Sequence, residues 1–220
     1  SEDIQVVDIR KPADSGVVPF ARSIPFSEWR GPGTGSRDFF NAKRLAEIYN
    51  QHGLDLSKPI VLIHDRPSDM EMGRAAMEYW LLKSSGAESI AIMRGGMQAW
   101  MDAQLPLANT YTVAHPRVDR VTLDTAARNM PLGSILSDVL TEVDAEKSAL
   151  EVVKHLRDNG FDESDGRAIS FCHAGELGAL NWFLASELAG LDNMKLYPGS
   201  IAGWSADGGI LTVQGAIPQG

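Results

Sequence analysis

The sequence predicts an α/β chain of two tandem units, each a parallel sheet flanked by helices. Two observations carry this. Short apolar runs, Ile60-Val61-Leu62-Ile63 and Ala168 to Phe171, are too continuously apolar for a half-exposed sheet, and helical stretches follow them. The same series of segments then occurs twice along the chain, the signature of a repeated unit.

The repeat can be followed segment by segment. A first strand is predicted at Ile4 to Asp8. Phe20-Ala21-Arg22-Ser23-Ile24-Pro25 recurs as Ala126-Ala127-Arg128-Asn129-Met130-Pro131, and His52-Gly53-Leu54-Asp55 recurs as Asn159-Gly160-Phe161-Asp162. Each apolar strand leads into a helix, about Gly73 to Lys83 and Gly178 to Ala189, with apolar residues spaced for a buried face. Gly86 and Gly190 follow those helices, where a left-handed cap favours glycine. Further strands are predicted at Ile90 to Met93 and Met194 to Tyr197, each ahead of a glycine turn and a tryptophan, Trp100 and Trp204. The boundaries expected are 1–107 for the first domain and 120–220 for the second. The stretch 108–119 is the linker, because Leu107 to Pro116 has no helical period. Arg30-Gly31-Pro32-Gly33-Thr34-Gly35-Ser36 is glycine-rich but lacks the Gly-Lys-Ser/Thr ending of a phosphate loop, and reads as a surface loop.

Composition narrows the function. The 220 residues are 44% hydrophobic and 22% charged, as in soluble globular chains. No apolar run is long enough for a bilayer span. A formal charge of −9 argues against nucleic acid or an anionic membrane as the main partner. The five histidines show no metal-ligand spacing, and one cysteine cannot build a thiolate-rich zinc site, so neither metal nor cofactor is expected. One cysteine also makes no internal disulfide and leaves the redox compartment open. The chain opens almost directly on a strand, so a removed leader stays open, and with it a cytoplasmic or periplasmic location.

The chemistry is expected at Ser170-Phe171-Cys172-His173-Ala174-Gly175-Glu176-Leu177-Gly178. Here a strand delivers the single cysteine into a tight loop ahead of a helix. Backbone N–H groups of such a loop point at the sulfur and favour its anion, and the thiolate is the nucleophile. The plain alternative is an inert core cysteine, since free cysteines are often buried. His173 is either a substrate-orienting or acid–base group or a solvated loop side chain. The halves differ at this point. The first is expected to put Asp65 where the second has Cys172, and an aspartate does no thiol chemistry. Asp124 is taken as the match of Asp8, which makes the second half shorter between that residue and the Ile-Pro or Met-Pro pair.

These motifs resemble the rhodanese family in its two-domain sulfurtransferase form. Val6-Val7-Asp8-Ile9-Arg10 looks like the family's strand ending in Asp-x-Arg. Gly16 to Pro25 looks like its Gly-His-Ile-Pro-Gly-Ala-x-Asn-Ile-Pro motif. Cys172-His173-Ala174-Gly175 is similar to its Cys-x-x-Gly loop, and the Gly-x-x-x-x-Trp ends are similar to its Gly-Gly-x-x-x-Trp. The resemblance covers nearly the whole chain. It implies two rhodanese-like domains, the second carrying the cysteine. It also implies a persulfide relay in which Cys172 takes a sulfane sulfur from a thiosulfate-like or mercaptopyruvate-like donor. A thiol, cyanide or a protein acceptor then removes it. The amides of His173, Ala174, Gly175, Glu176, Leu177 and Gly178 would cradle the persulfide, much as an oxyanion hole does.

The departures are specific. Family loops often carry arginine, threonine or serine after the glycine, where this chain has Glu176 and Leu177. Glu176 is expected to point to solvent. Val17 stands where the motif has histidine, and the short second half lacks the region that usually supplies a cationic substrate contact. Trp204 is expected to pack against the loop, Asp8 and Arg10 to form a structural pair, and Asp65 with Arg66 either to line an interface facing Cys172 or to serve packing alone. Two rival functions are weighed. A phosphatase of related fold needs Cys-x5-Arg to grip phosphate, and the residue six after Cys172 is Gly178. A non-catalytic binding or regulatory module is opposed by the intact Cys-x-x-Gly loop and favoured by the acidic loop at Glu176 and by the shortened second half.

Overall fold

The computed structural model describes residues 4–11, 16–30, 41–113, 135–138, 149–158 and 168–209. Two parallel sheets organise them. In the first, β1 (Gln5–Asp8) lies between β2 (Arg22–Ser23) and β3 (Ile60–Ile63), and β4 (Ile90–Ile92) pairs with β3 at the far side. In the second, β6 (Ala168–Phe171) lies between β5 (Ile135–Asp138) and β7 (Met194–Leu196). Every pairing is parallel. The α/β class with helix-flanked parallel sheets is therefore as the apolar runs predict.

The helices of the first unit are α1 (Phe26–Arg30), α2 (Ala42–Gln51), α3 (Asp69–Ser84) and α4 (Gly96–Asp102). Those of the second are α5 (Ala149–Asp158), α6 (Glu176–Trp182) and α7 (Ser200–Ala206). A π-helical turn, Phe183–Leu188, prolongs α6. Ser68 caps α3 by accepting the Glu71 amide, the Ser-x-x-Glu pattern of a helix start. Gly86 and Gly190 both take positive φ, +98° and +74°, just beyond the two long helical segments, as the capping argument requires.

The element that joins the two sheets is α3. Its Ala75, Leu81 and Leu82 sit in the core with Val7, Ile24, Leu45 and Leu62. Its Ala76 and Met77 sit in the other core, with Ala168, Ala179, Leu180 and Leu196. A surface helix has one apolar stripe; this one is apolar on two sides because it is walled in twice. Lys83 reaches Glu187 of the π turn at 2.6 Å, and the Tyr79 hydroxyl donates to the same carboxylate at 3.0 Å. Burial, and then that carboxylate, push the Tyr79 pKa up to about 12, so the phenol keeps its proton and donates.

The sheet registers correct three expectations. β3 and β6 have the same length and burial pattern, which puts His64, not Asp65, in the place of Cys172. Backbone bonds agree: the Met97 amide donates to His64 O (2.8 Å) as the Ile201 amide donates to Cys172 O (3.0 Å), and Gln98 meets Asp65 as Ala202 meets His173. Asp8 pairs with Ile63 as Asp138 pairs with Phe171, so Asp138, not Asp124, matches Asp8. Phe20 to Pro25 then follows its first strand, whereas 126–131 precede theirs and lie outside the described residues. The true shortening is elsewhere. Residues 9–41 separate β1 from α2, but only 139–148 separate β5 from α5.

Residues 108–112, assigned to the linker, are laid along the first unit. Ala108 bridges Val17, the Thr112 amide donates to Ala21 O (2.8 Å), and the Tyr111 hydroxyl donates to Asp8 (3.2 Å). The linker residues 114–119 lie outside the described residues.

Candidate active site

The strand β6 ends at Phe171 and hands Cys172 to the loop that opens α6. The Cys172 residue is 4% exposed. The Gly175 amide donates to its Sγ at 3.0 Å. The sulfur is thus covered, but an N–H is aimed at it, which is the arrangement that stabilises negative charge there. The cysteine's own amide donates to Ser200 Oγ (3.0 Å), and that hydroxyl donates to Tyr197 O (3.2 Å). With its carbonyl taken by Ile201, both backbone polar groups of Cys172 are fixed.

Two glycines make the loop possible. Gly175 has φ of +115°, and a Cβ there would collide with Pro198 O and lie 2.8 Å from Met77 Cε. A Cβ on Gly178 would lie 2.9 Å from the Phe171 backbone. The base of the loop is tied by the Ser170 hydroxyl, which donates to Gly178 O (2.7 Å) and accepts from the Asn181 amide (3.2 Å). His173 is exposed, Ala174 and Leu177 are half-buried, and Glu176 is buried.

Glu176 is the departure from expectation. It does not point to solvent. Its carboxylate pairs at 2.6 Å with Arg30, the last residue of α1 in the first unit, and Arg30 also donates to Ala174 O at 3.4 Å. The cation paired with this loop carboxylate therefore comes from the first unit. Its only sequence signal was as the edge of a glycine-rich loop. Helix α3 closes the same side. A Cβ on Gly73 would lie 2.5 Å from Glu176 O, so only a glycine lets the helix and the loop approach so closely.

The remaining sites separate cleanly. Asp8 and Arg10 form a buried ion pair (2.6 Å), and Arg10 also reaches Gly16 O (3.2 Å). Asp65 and Arg66 pair with each other at 3.1 Å on an exposed loop, and no hydrogen bond or ion pair joins them to Cys172 among the described residues. At the position matching Cys172, His64 is buried with its Nδ1 3.0 Å from Arg66 O, and burial lowers its pKa. Trp204 meets Tyr197 edge to face, 6.3 Å between centroids, on the turn that carries Ser200. Ser200 was missed in the sequence. Its φ of +51° is rare for a side-chain-bearing residue, and its partner position in the first unit is Gly96, φ +60°.

No protein-family model matches the chain. Among curated proteins, a relative from Haloferax volcanii with a provisional thiosulfate sulfurtransferase name is 25% identical over 215 residues, 77% of this chain and 73% of that one. The thiosulfate sulfurtransferase of Corynebacterium glutamicum is 24% identical over 216 residues, 77% of this chain and 70% of that one. The sulfur carrier protein TtuD of Thermus thermophilus is 27% identical over 95 residues, 43% of this chain and 31% of that one. Among solved structures, the 3-mercaptopyruvate sulfurtransferase of Leishmania major has a TM-score of 0.71 at 16% identity, over 93% of this chain and 71% of that one. That of Escherichia coli, described as having the rhodanese fold, has 0.66 at 17%, over 90% and 92%. EanB bound to ergothioneine has 0.71 at 16%; the match takes in 95% of this chain but 65% of EanB, just under two thirds.

Proposed function

We propose that this rhodanese-fold homologue of the thiosulfate sulfurtransferases is itself a sulfurtransferase, and that Cys172 carries the moving sulfur as a persulfide. The observation that carries the reading is the Gly175 N–H held 3.0 Å from the thiol sulfur at the mouth of a parallel strand. Ligands of open α/β sheets gather at the strands' carboxyl ends, where this loop lies.

The Cys172 thiolate attacks the sulfane sulfur of a donor. With thiosulfate, the S–S bond breaks and sulfite leaves with its electron pair. With mercaptopyruvate the C–S bond breaks and pyruvate leaves after taking up a proton. The sulfur stays as Cys172–S–S⁻, and a thiolate or cyanide then attacks its outer atom and restores the Cys172 thiolate. This is covalent, ping-pong chemistry. In this reading the persulfide's outer sulfur would face the amides of the loop His173 to Gly178, and the Gly175 amide that donates to the thiol sulfur supports it. The likeness to a sulfur carrier protein supports a protein thiol as one class of acceptor.

The test is intact mass after incubation with thiosulfate, mercaptopyruvate or cysteamine persulfide. The expected result is a gain of one sulfur atom, lost on adding cyanide and absent from Cys172→Ser. No gain from any of the three would overturn the relay and favour a binding module.

A further inference from the structure

We propose that the Arg30–Glu176 ion pair sets the class of sulfur donor, favouring a low-charge organic persulfide over the thiosulfate dianion. The proposal rests on the Cys172 relay described above.

Glu176 follows Gly175, whose amide touches the sulfur, and Arg30 reaches both Glu176 and the carbonyl of Ala174 on the other side of Gly175. The cation at the loop is thus already matched by a loop carboxylate, one that is itself only 8% exposed. Arg74, on the helix that abuts Glu176, is likewise paired, with Glu71. A dianion approaching the sulfur meets charges that cancel, on a chain whose net charge is −9. A zwitterionic persulfide loses nothing by this. Cysteamine persulfide would deliver its outer sulfur to the Cys172 thiolate; the donor S–S bond breaks, and cysteamine leaves as its thiolate with the bonding pair. A site built for a dianion would leave such an arginine free to grip it, since charge-assisted arginine contacts are the strong way to hold an oxyanion.

The readout is the ratio of the rates at which Cys172 gains sulfur from thiosulfate and from cysteamine persulfide, followed by intact mass. Glu176→Gln removes the carboxylate that pairs with Arg30 and is expected to raise that ratio about tenfold or more, the scale of one added net charge near a partly buried site. The double variant Glu176→Gln with Arg30→Gln restores neutrality and is expected to bring the ratio back. A ratio that does not move, or one raised equally in the double variant, overturns the proposal. The unaltered protein supplies a second arm. Its rate from thiosulfate is expected to stay level or rise with ionic strength; a fall would reveal an uncompensated cation and overturn the proposal too. If sulfur is gained but these results fail, the donor proposal falls alone. If no donor loads Cys172, the relay falls and takes it along.

Discussion

Replacing Gly73 with alanine sets two physical effects against each other at one atom. Gly73 lies inside α3, where alanine is the better helix former by ~1 kcal/mol. The added methyl, however, would lie 2.5 Å from Glu176 O and 2.8 Å from its carbonyl carbon. Ordinary contact begins near 3.4 Å, so helix and loop must part by about 0.9 Å. Both atoms are backbone, which cannot swing aside as a side chain can. Overpacking of this kind costs ~1–3 kcal/mol, so the net change is a loss of ~0–2 kcal/mol. For a chain of this size that is a Tm lower by at most ~8 °C. The loss of rate is expected to exceed the loss of stability, because a ~1 Å misplacement of reacting groups costs on the order of 100-fold. The assay pairs thermal unfolding with the rate of sulfur gain at Cys172. A variant that is more stable and loads sulfur at the original rate would refute the claim that α3 positions the loop.

Three further outcomes follow from the same geometry. Ser200→Gly relieves a left-handed φ but leaves the buried Cys172 amide without its acceptor; thermal unfolding should move little while sulfur loading slows, and a variant with both unchanged would make the strained serine incidental. Glu78 is wholly buried, and burial, then the charge of Asp8, raises its pKa well above the usual carboxylate value. A pKa higher in the folded than in the unfolded state gives stability that is complete below the unfolded value and lost as pH climbs through the folded one. Glu78→Gln should therefore raise Tm, with a gain over the parent that widens upward from pH 4.5; a constant gain across pH would contradict this. Lys83→Ala should cost less than about 1 kcal/mol by chemical unfolding, because half of that lysine is in water.

Much of this architecture could be read from the residues, and the exceptions have physical causes. The strands β3 and β6, the long α3, the glycine caps and the cysteine loop all announce themselves through local pattern, because each is decided by its own apolar spacing or backbone angle. The match of Asp124 to Asp8 failed because proline-ended segments look alike whatever strand they adjoin, and only the hydrogen-bond register identifies Asp138 as the true partner. Composition alone does not separate His64 from Asp65, because a one-residue offset leaves the surroundings almost unchanged. The general rule for loop carboxylates puts Glu176 in solvent; its partner Arg30 lies 146 residues away, beyond any local signal. Ser200 was hidden for another reason. A glycine in the repeat predicts a left-handed residue, but nothing in a single sequence says that its counterpart bears the strain for a hydroxyl.

The doubly walled helix also bears on how the chain can be divided. Severed from residues 69–84, the half that holds Cys172 would present Ala179, Leu180 and Phe183 to water along one bare flank. Truncation to the cysteine-bearing portion would then yield a sticky fragment rather than a minimal catalyst. The half without the cysteine is, on this view, the missing wall of the other's house.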